Sequence, residues 1–131
     1  LWNYDNLDPD VARQTGAHAV DNLSSKVIRQ LVAGREQGYL SSADGRHNYT
    51  DGMKKIEVPI FFVVGSLDQM APPSVMVEAF RKVSSKEKRI EILSRANGYA
   101  HDYGHVDLVL GKTAPTEVFP LLEQWLAQHE G

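Results

Sequence analysis

Val58-Pro-Ile-Phe-Phe-Val-Val64 ("VPIFFVV") is continuously apolar, β-branched and aromatic, and Gly65 halts it. The run has neither the alternation of a half-solvated strand nor the length of a helix. It therefore predicts a strand buried on both faces, as in a parallel sheet covered by helices. Downstream, Pro72-Pro73-Ser74 opens a helix whose Val75, Ala79, Phe80 and Val83 recur at helical spacing, and Ser84-Ser85-Lys86 closes it. Arg89-Ile-Glu-Ile-Leu93 supplies a second short strand. Strand, helix and strand within about 35 residues form a βαβ unit, whose handedness places both strands parallel in one sheet.

Outside this unit the pattern is helical. Asp8-Pro9-Asp10 sets an N-cap before a proline at the first helical position, followed by the thin apolar face of Val11, Ala12 and Ala17. From Asp21 an amphipathic helix carries Val20, Leu23, Val27, Ile28 and Leu31 on one stripe, with Gly34 or Gly38 to end it. Residues 38–55 hold so many turn formers, Asp44-Gly45 and Asp51-Gly52 among them, that a long surface excursion is expected. Thr113-Ala-Pro115 starts a last helix with Val118, Leu121, Leu122, Trp125 and Leu126 facing inward and Pro120 in its first turns or at a kink. Two strands make a thin sheet, so a partner or a larger domain is expected to complete it.

The 131 residues, 42% hydrophobic and 24% charged, describe one globular domain, and disorder is not expected. A net charge of −3 without a basic run excludes the electrostatic footprint of a nucleic-acid binder. The absence of cysteine excludes disulfides and thiolate metal sites. No apolar stretch reaches the roughly 18 residues of a membrane span, and Leu1-Trp-Asn-Tyr-Asp is no signal peptide, so a cytoplasmic location is expected. The missing initial methionine suggests a piece of a longer chain.

The chemistry-bearing residues gather after the two strands. Gly65-Ser-Leu-Asp68-Gln-Met-Ala-Pro-Pro73 follows the first, and His101-Asp-Tyr-Gly-His-Val-Asp-Leu-Val-Leu-Gly111 follows the second. Adjacent parallel strands deliver both loops to one rim, where open α/β sheets gather their sites. Asp68 and His105 can meet there, a carboxylate fixing the imidazole tautomer and leaving the ring free as general base. The order acid then histidine is that of α/β-hydrolases after their serine.

"KKIEVPIFFVVGSLDQMAPP" resembles the acid-bearing segment of the α/β-hydrolase superfamily, a Val-Pro-led strand ending in Gly-x-x-Asp and a proline. "YGHVDLVLGKTAPTEVFPLLEQWL" resembles the histidine-bearing segment of its polyhydroxyalkanoate-synthase-like and acid-lipase-like branch, and "SADGRHNYTDGMKKI" the joint between cap and acid strand. The likeness covers roughly residues 20–129. It implies a partial α/β-hydrolase fold: residues 1–55 a helical cap segment, and 56–131 the last two parallel strands with their helices. It makes Asp68 the triad acid and His105 the triad base of an enzyme acting on carboxylic esters, an esterase, lipase or acyltransferase. No metal or cofactor is implied, and Tyr39, Leu40 and Tyr49 are candidate pocket walls.

One departure matters most. The family needs a serine on a Gly-x-Ser-x-Gly elbow, and this chain has none. Ser66 follows a glycine but sits on the acid loop, and serines 41, 42, 84 and 85 lie in turns. The chain alone is therefore expected to be inactive, supplying acid and base to a nucleophile in the rest of a parent chain. The alternative is a catalytically inactive binding or assembly module whose partner, a second copy or another chain, completes the sheet.

Plainer readings stand beside these. Asp68 is also a good turn former, and His105 a loop histidine that bonds locally. His101, Asp102 and Asp107 are expected to be structural, Asp107 steadying the loop or the next helix. On a helix His101 and His105 would share a face with Asp102 or Asp107 as oxygen ligands, but Gly104 argues for a loop and against a metal site. His18, His47 and His129 are expected to face solvent, and Trp125 to be a packing anchor.

Overall fold

The computed structural model describes residues 2–18, 22 and 24–129. Its order is α1 (Pro9–His18), α2 (Ser25–Gln37), α3 (Tyr49–Gly52), β1 (Ile60–Gly65), α4 (Pro73–Lys82), β2 (Lys88–Leu93), α5 (Asp107–Leu110), α6 (Ala114–Glu117) and α7 (Phe119–Gln128). The architecture is mixed α/β. Among the described residues one sheet forms, with β1 parallel to β2 in the register Ile60 to Lys88 through Gly65 to Leu93.

Consecutive side chains on a strand point to opposite faces. Phe61 therefore meets Trp125 of α7 at 5.3 Å between ring centroids, while Phe62 meets Phe80 of α4 on the other face at 5.9 Å. Helices thus cover both faces, as expected of this strand, but only Val64 and Gly65 are buried within β1. The rest is half-exposed, because a two-stranded sheet leaves edges that its helices do not reach. Ile60 N donates to Glu87 O and Ser66 N to Leu93 O, so by the alternation of a parallel pair Phe61 and Val63 turn their main-chain groups to the outer edge. The outer edge of β2 is partly closed, since Asn97 Nδ2 donates to Ile92 O at 2.7 Å. Lys88 bends back to donate to Phe80 O and Val83 O, a cation capping the carbonyl end of α4.

The main core lies at the carboxyl end of the sheet, where Leu93, Tyr103, Ala114 and Val118 are enclosed by Val63, Tyr99, Leu108 and Phe119. The long tail helix arrives in two pieces. Pro120 sits in the first turn of α7 and has no N–H to continue the ladder from α6, so the chain breaks at Val118. Val118, Leu121 and Trp125 face inward, whereas Leu122 and Leu126 are exposed, against the expected stripe. His129 is not solvent-facing: it stacks on Trp125 and places Nε2 3.0 Å from Glu87.

Asp8 caps α1 through Asp10 N as its sequence suggested. Helix α2 starts from an Ser24 cap and ends at Gly38, φ 76°; Val20, Asp21 and Leu23, assigned to its start, lie outside the described residues. Its Val27, Ile28 and Leu31 remain exposed. The excursion over 38–55 contains more order than its composition suggests. Ser41 and Asn48 pair across a tight turn, and Asn48 Oδ1 accepts from Asp51 N to start α3. Among the described residues no helix is long and apolar enough to cross a membrane.

At Gly65 a Cβ would lie 2.5 Å from Tyr103 O and 2.8 Å from Gly104 O, so no side chain fits. Gly65→Ala should lower unfolding stability by about 1–3 kcal/mol. Gly16→Ala, on exposed α1 with open space around it, should raise it by about 0.5–1 kcal/mol. Urea denaturation of both variants checks the contrast, and equal effects would refute the close approach.

Candidate active site

The acid loop leaves β1 as a tight turn in which Asp68 N donates to Gly65 O at 3.1 Å. That turn folds the Asp68 carboxyl back over its own backbone, where Oδ1 accepts from Met70 N at 2.8 Å and Ala71 N at 2.9 Å. Prolines 72 and 73 then start α4 in the only geometry they allow. The carboxylate is 2% exposed, and its second oxygen, Oδ2, lies 2.8 Å from Nδ1 of His105.

Burial alone would raise the Asp68 pKa. The hydrogen bonds from Ala71, His105 and Met70, with the charge interaction of His105, outweigh it and leave the group below its ordinary value of 3.8. An ionised carboxylate only accepts, so Nδ1 donates to Asp68 and Nε2 is left outside that bond. The His105 side chain is 43% exposed, and Nε2 makes no hydrogen bond among the described residues.

The histidine loop is stitched to the acid loop at main-chain level. Leu67 N donates to Tyr103 O at 2.8 Å, and Ser66 N and Tyr103 N both donate to Leu93 O. Tyr103 is fully buried, donating its hydroxyl to Glu117 Oε2 at 2.6 Å and lying 2.6 Å from Thr113 Oγ1. Burial, reinforced by Glu117, pushes the phenol up to about 12, so it stays a donor. Glu117 in turn accepts Ala100 N, which ties the start of the loop to α6.

Of the four polar residues in His101-Asp-Tyr-Gly-His-Val-Asp107, only His105 reaches Asp68. Asp102 Oδ1 accepts from Ser66 Oγ at 3.3 Å and Arg95 N at 3.0 Å. Asp107 Oδ2 accepts from Gly104 N at 2.8 Å and Asn3 N at 2.7 Å, steadying the loop. His101 buries Nδ1 without a hydrogen-bond partner among the described residues. Among the described residues no three His, Asp or Glu side chains group to hold a metal ion. Ser66, the one serine after a glycine on this rim, directs its hydroxyl to Asp102, and no described hydroxyl bonds His105.

Tyr39, Leu40 and Tyr49 are exposed rather than gathered over the pair; Tyr49 lines a separate hollow of about 540 Å³ with Arg46, Asn48 and Met53, which neither Asp68 nor His105 lines. Sequence reasoning missed Asn3 and Asn6. Asn3 Nδ2 donates to Asp102 O, and Asn6, fully buried, accepts Thr113 Oγ1 at 3.0 Å through its side chain. Neither asparagine stands in a motif, so nothing local marked them. Comparison with known proteins finds no matching family model, no matching curated protein and no matching solved structure.

Because the native Asp68 carboxyl lies below 3.8, its hydrogen bonds stabilise the fold fully above that value and are lost as pH falls through the lower native pKa. Asp68→Asn should therefore cost about 1–3 kcal/mol at neutral pH, with the gap to the unsubstituted chain narrowing from about pH 4 downward. Denaturant titrations at neutral and acid pH measure it; a gap that widens in acid would contradict the assigned hydrogen bonds.

Proposed function

We propose that this chain supplies the acid and base of a serine hydrolase acting on carboxylic esters, the nucleophile coming from residues outside it. The observation that carries the reading is the buried Asp68 carboxylate, held by two main-chain N–H groups and bonded to His105 Nδ1, with Nε2 left open on an exposed ring. The likeness of the two loops to α/β-hydrolase segments, in the polyhydroxyalkanoate-synthase-like and acid-lipase-like branch, supports it further. In this reading residues 1–55 belong to the cap, residues 56–131 to the core, and the protein is cytoplasmic.

The chemistry follows from the geometry. A serine hydroxyl brought to Nε2 transfers its proton to His105 as Oγ attacks the ester carbonyl, and Asp68 stabilises the imidazolium that forms. His105 then gives that proton to the departing alcohol oxygen. A water molecule repeats the sequence on the acyl-serine, releasing the acid; an alcohol or thiol in place of water gives acyl transfer. Proton movement at one nitrogen serves both halves, and no metal or cofactor is needed. The outer edge of β1, with the main-chain groups of Phe61 and Val63, is where further strands of the parent sheet would pair.

The lack of a described serine at His105 also favours a second reading, an inactive assembly module whose partner completes the sheet at the same edge. The two separate in experiment. In the first reading the reading frame upstream of Leu1 encodes Gly-x-Ser-x-Gly, and the longer product hydrolyses p-nitrophenyl esters. His105→Ala should then lower kcat by roughly 10⁶ and Asp68→Asn by roughly 10⁴. The 131-residue chain alone should give no turnover. Ester hydrolysis by this chain alone, abolished in His105→Ala, would sink the missing-nucleophile argument, and a longer product without the serine would favour the module.

A further inference from the structure

We propose that Asp107 is the positioning residue of the Asp68–His105 pair, and that residues 3–7 lock it in place; the proposal rests on the reading of that pair as an acid and base. Asp68 is almost fully buried, with both oxygens engaged, and cannot follow a moving partner. The precision of the pair is therefore set from the histidine side. There the side chain is 43% exposed, and among the described residues the ring bonds to Asp68 alone. What fixes the ring is the backbone beneath it.

That backbone passes through Gly104, which has no side chain to brace it. Its N–H is held at 2.8 Å by Oδ2 of Asp107, a residue with no solvent exposure. The same oxygen takes the N–H of Asn3 at 2.7 Å, across nearly the whole length of the chain. Both bonds end on one fully buried carboxyl oxygen, and burial strengthens hydrogen bonds. Asn3 adds a second tie through Nδ2 to Asp102 O at 2.8 Å.

The far end of the loop is pinned by the same segment. Leu7 bridges Gly111, Lys112 N donates to Asn6 O at 2.7 Å, and Thr113 Oγ1 donates to Asn6 Oδ1. Gly111 is needed for this approach, since a Cβ there would sit 2.5 Å from Asp107 O and 2.7 Å from Asn6 Nδ2. Residues 3–7 thus clamp the loop on both sides of His105, and Asp107 joins clamp and loop at one atom. Asp107 does not touch His105; it acts through Gly104.

The test reads the His105 Nδ1 proton directly, by proton NMR of the whole chain, with His105→Gln identifying the resonance. Asp107→Ala and Asn3→Pro, the latter removing the main-chain donor together with the side-chain bonds that Asn3→Ala also removes, should speed exchange of that proton with solvent about five- to tenfold, the equivalent of one buried hydrogen bond. Asp107→Asn keeps an oxygen for Gly104, and Asn3→Ala keeps the main-chain N–H, so both should hold near the original rate. Circular dichroism verifies that each variant is folded; if Asp107→Ala is not, Asn3→Pro against Asn3→Ala carries the comparison. Unchanged exchange in Asn3→Pro overturns the proposal, and so does a rate in Asn3→Ala as fast as in Asn3→Pro. The expected pattern in a chain whose serine-bearing parent shows no ester turnover would sustain the positioning and remove the hydrolase reading.

Discussion

Gly65 lies so close to the carbonyls of Tyr103 and Gly104 that the two loops leaving the sheet are in effect one surface. Only a residue without Cβ permits this approach, and the rest of the site depends on it. It lets Leu67 N reach Tyr103 O, while the shared acceptor Leu93 O holds both loop starts at the same height above the strands. Parallel pairing alone would bring the two loops to one rim. The contact at Gly65 brings Asp68 and His105 to hydrogen-bonding distance on it.

Around that contact an enclosed carboxylate meets an accessible imidazole. The Asp68 carboxylate is enclosed and satisfied by its own loop, which keeps it ionised despite burial. The His105 side chain stays 43% exposed, and its orientation comes from Gly104 and the bonds behind it. Those bonds belong to elements from both ends of the chain: Asn3 and Asn6 on one side, Thr113 and Glu117 on the other. Tyr103 stands at the centre of this buried polar network, in which Asn6 Nδ2 and Asp107 Oδ1 have no partner among the described residues.

Much of this was legible where the signal was local. The βαβ unit was readable from VPIFFVV, the helix stripe of 75–83 and RIEIL, and the loops carrying Asp68 and His105 followed from strand order. The start of α1 was written in Asp8-Pro9. The misread parts have separate causes. The stripe Leu122 and Leu126 and the face Val27, Ile28 and Leu31 have helical spacing, but spacing says only that a face exists, and among the described residues these side chains stay exposed. Pro120, expected in the first turns of the last helix or at a kink, does split it, because a missing N–H outweighs a continuous apolar stripe. In the 38–55 excursion a single side-chain cap, Asn48 on Asp51, was enough to order a turn of helix among breakers.

The sequence by itself determined which residue types stand at the ends of two parallel strands, because strand pattern, glycine stops and prolines act within a few residues of one another. It also determined that no Gly-x-Ser-x-Gly elbow is present. The meeting of Asp68 and His105 was already expected from the sequence; only the tertiary structure decided that Asp102 holds Ser66 and Arg95, and that Asp107 is tied to Asn3. These outcomes depend on hydrogen bonds between residues up to 104 positions apart, and such bonds leave no local periodicity for a sequence reading to find.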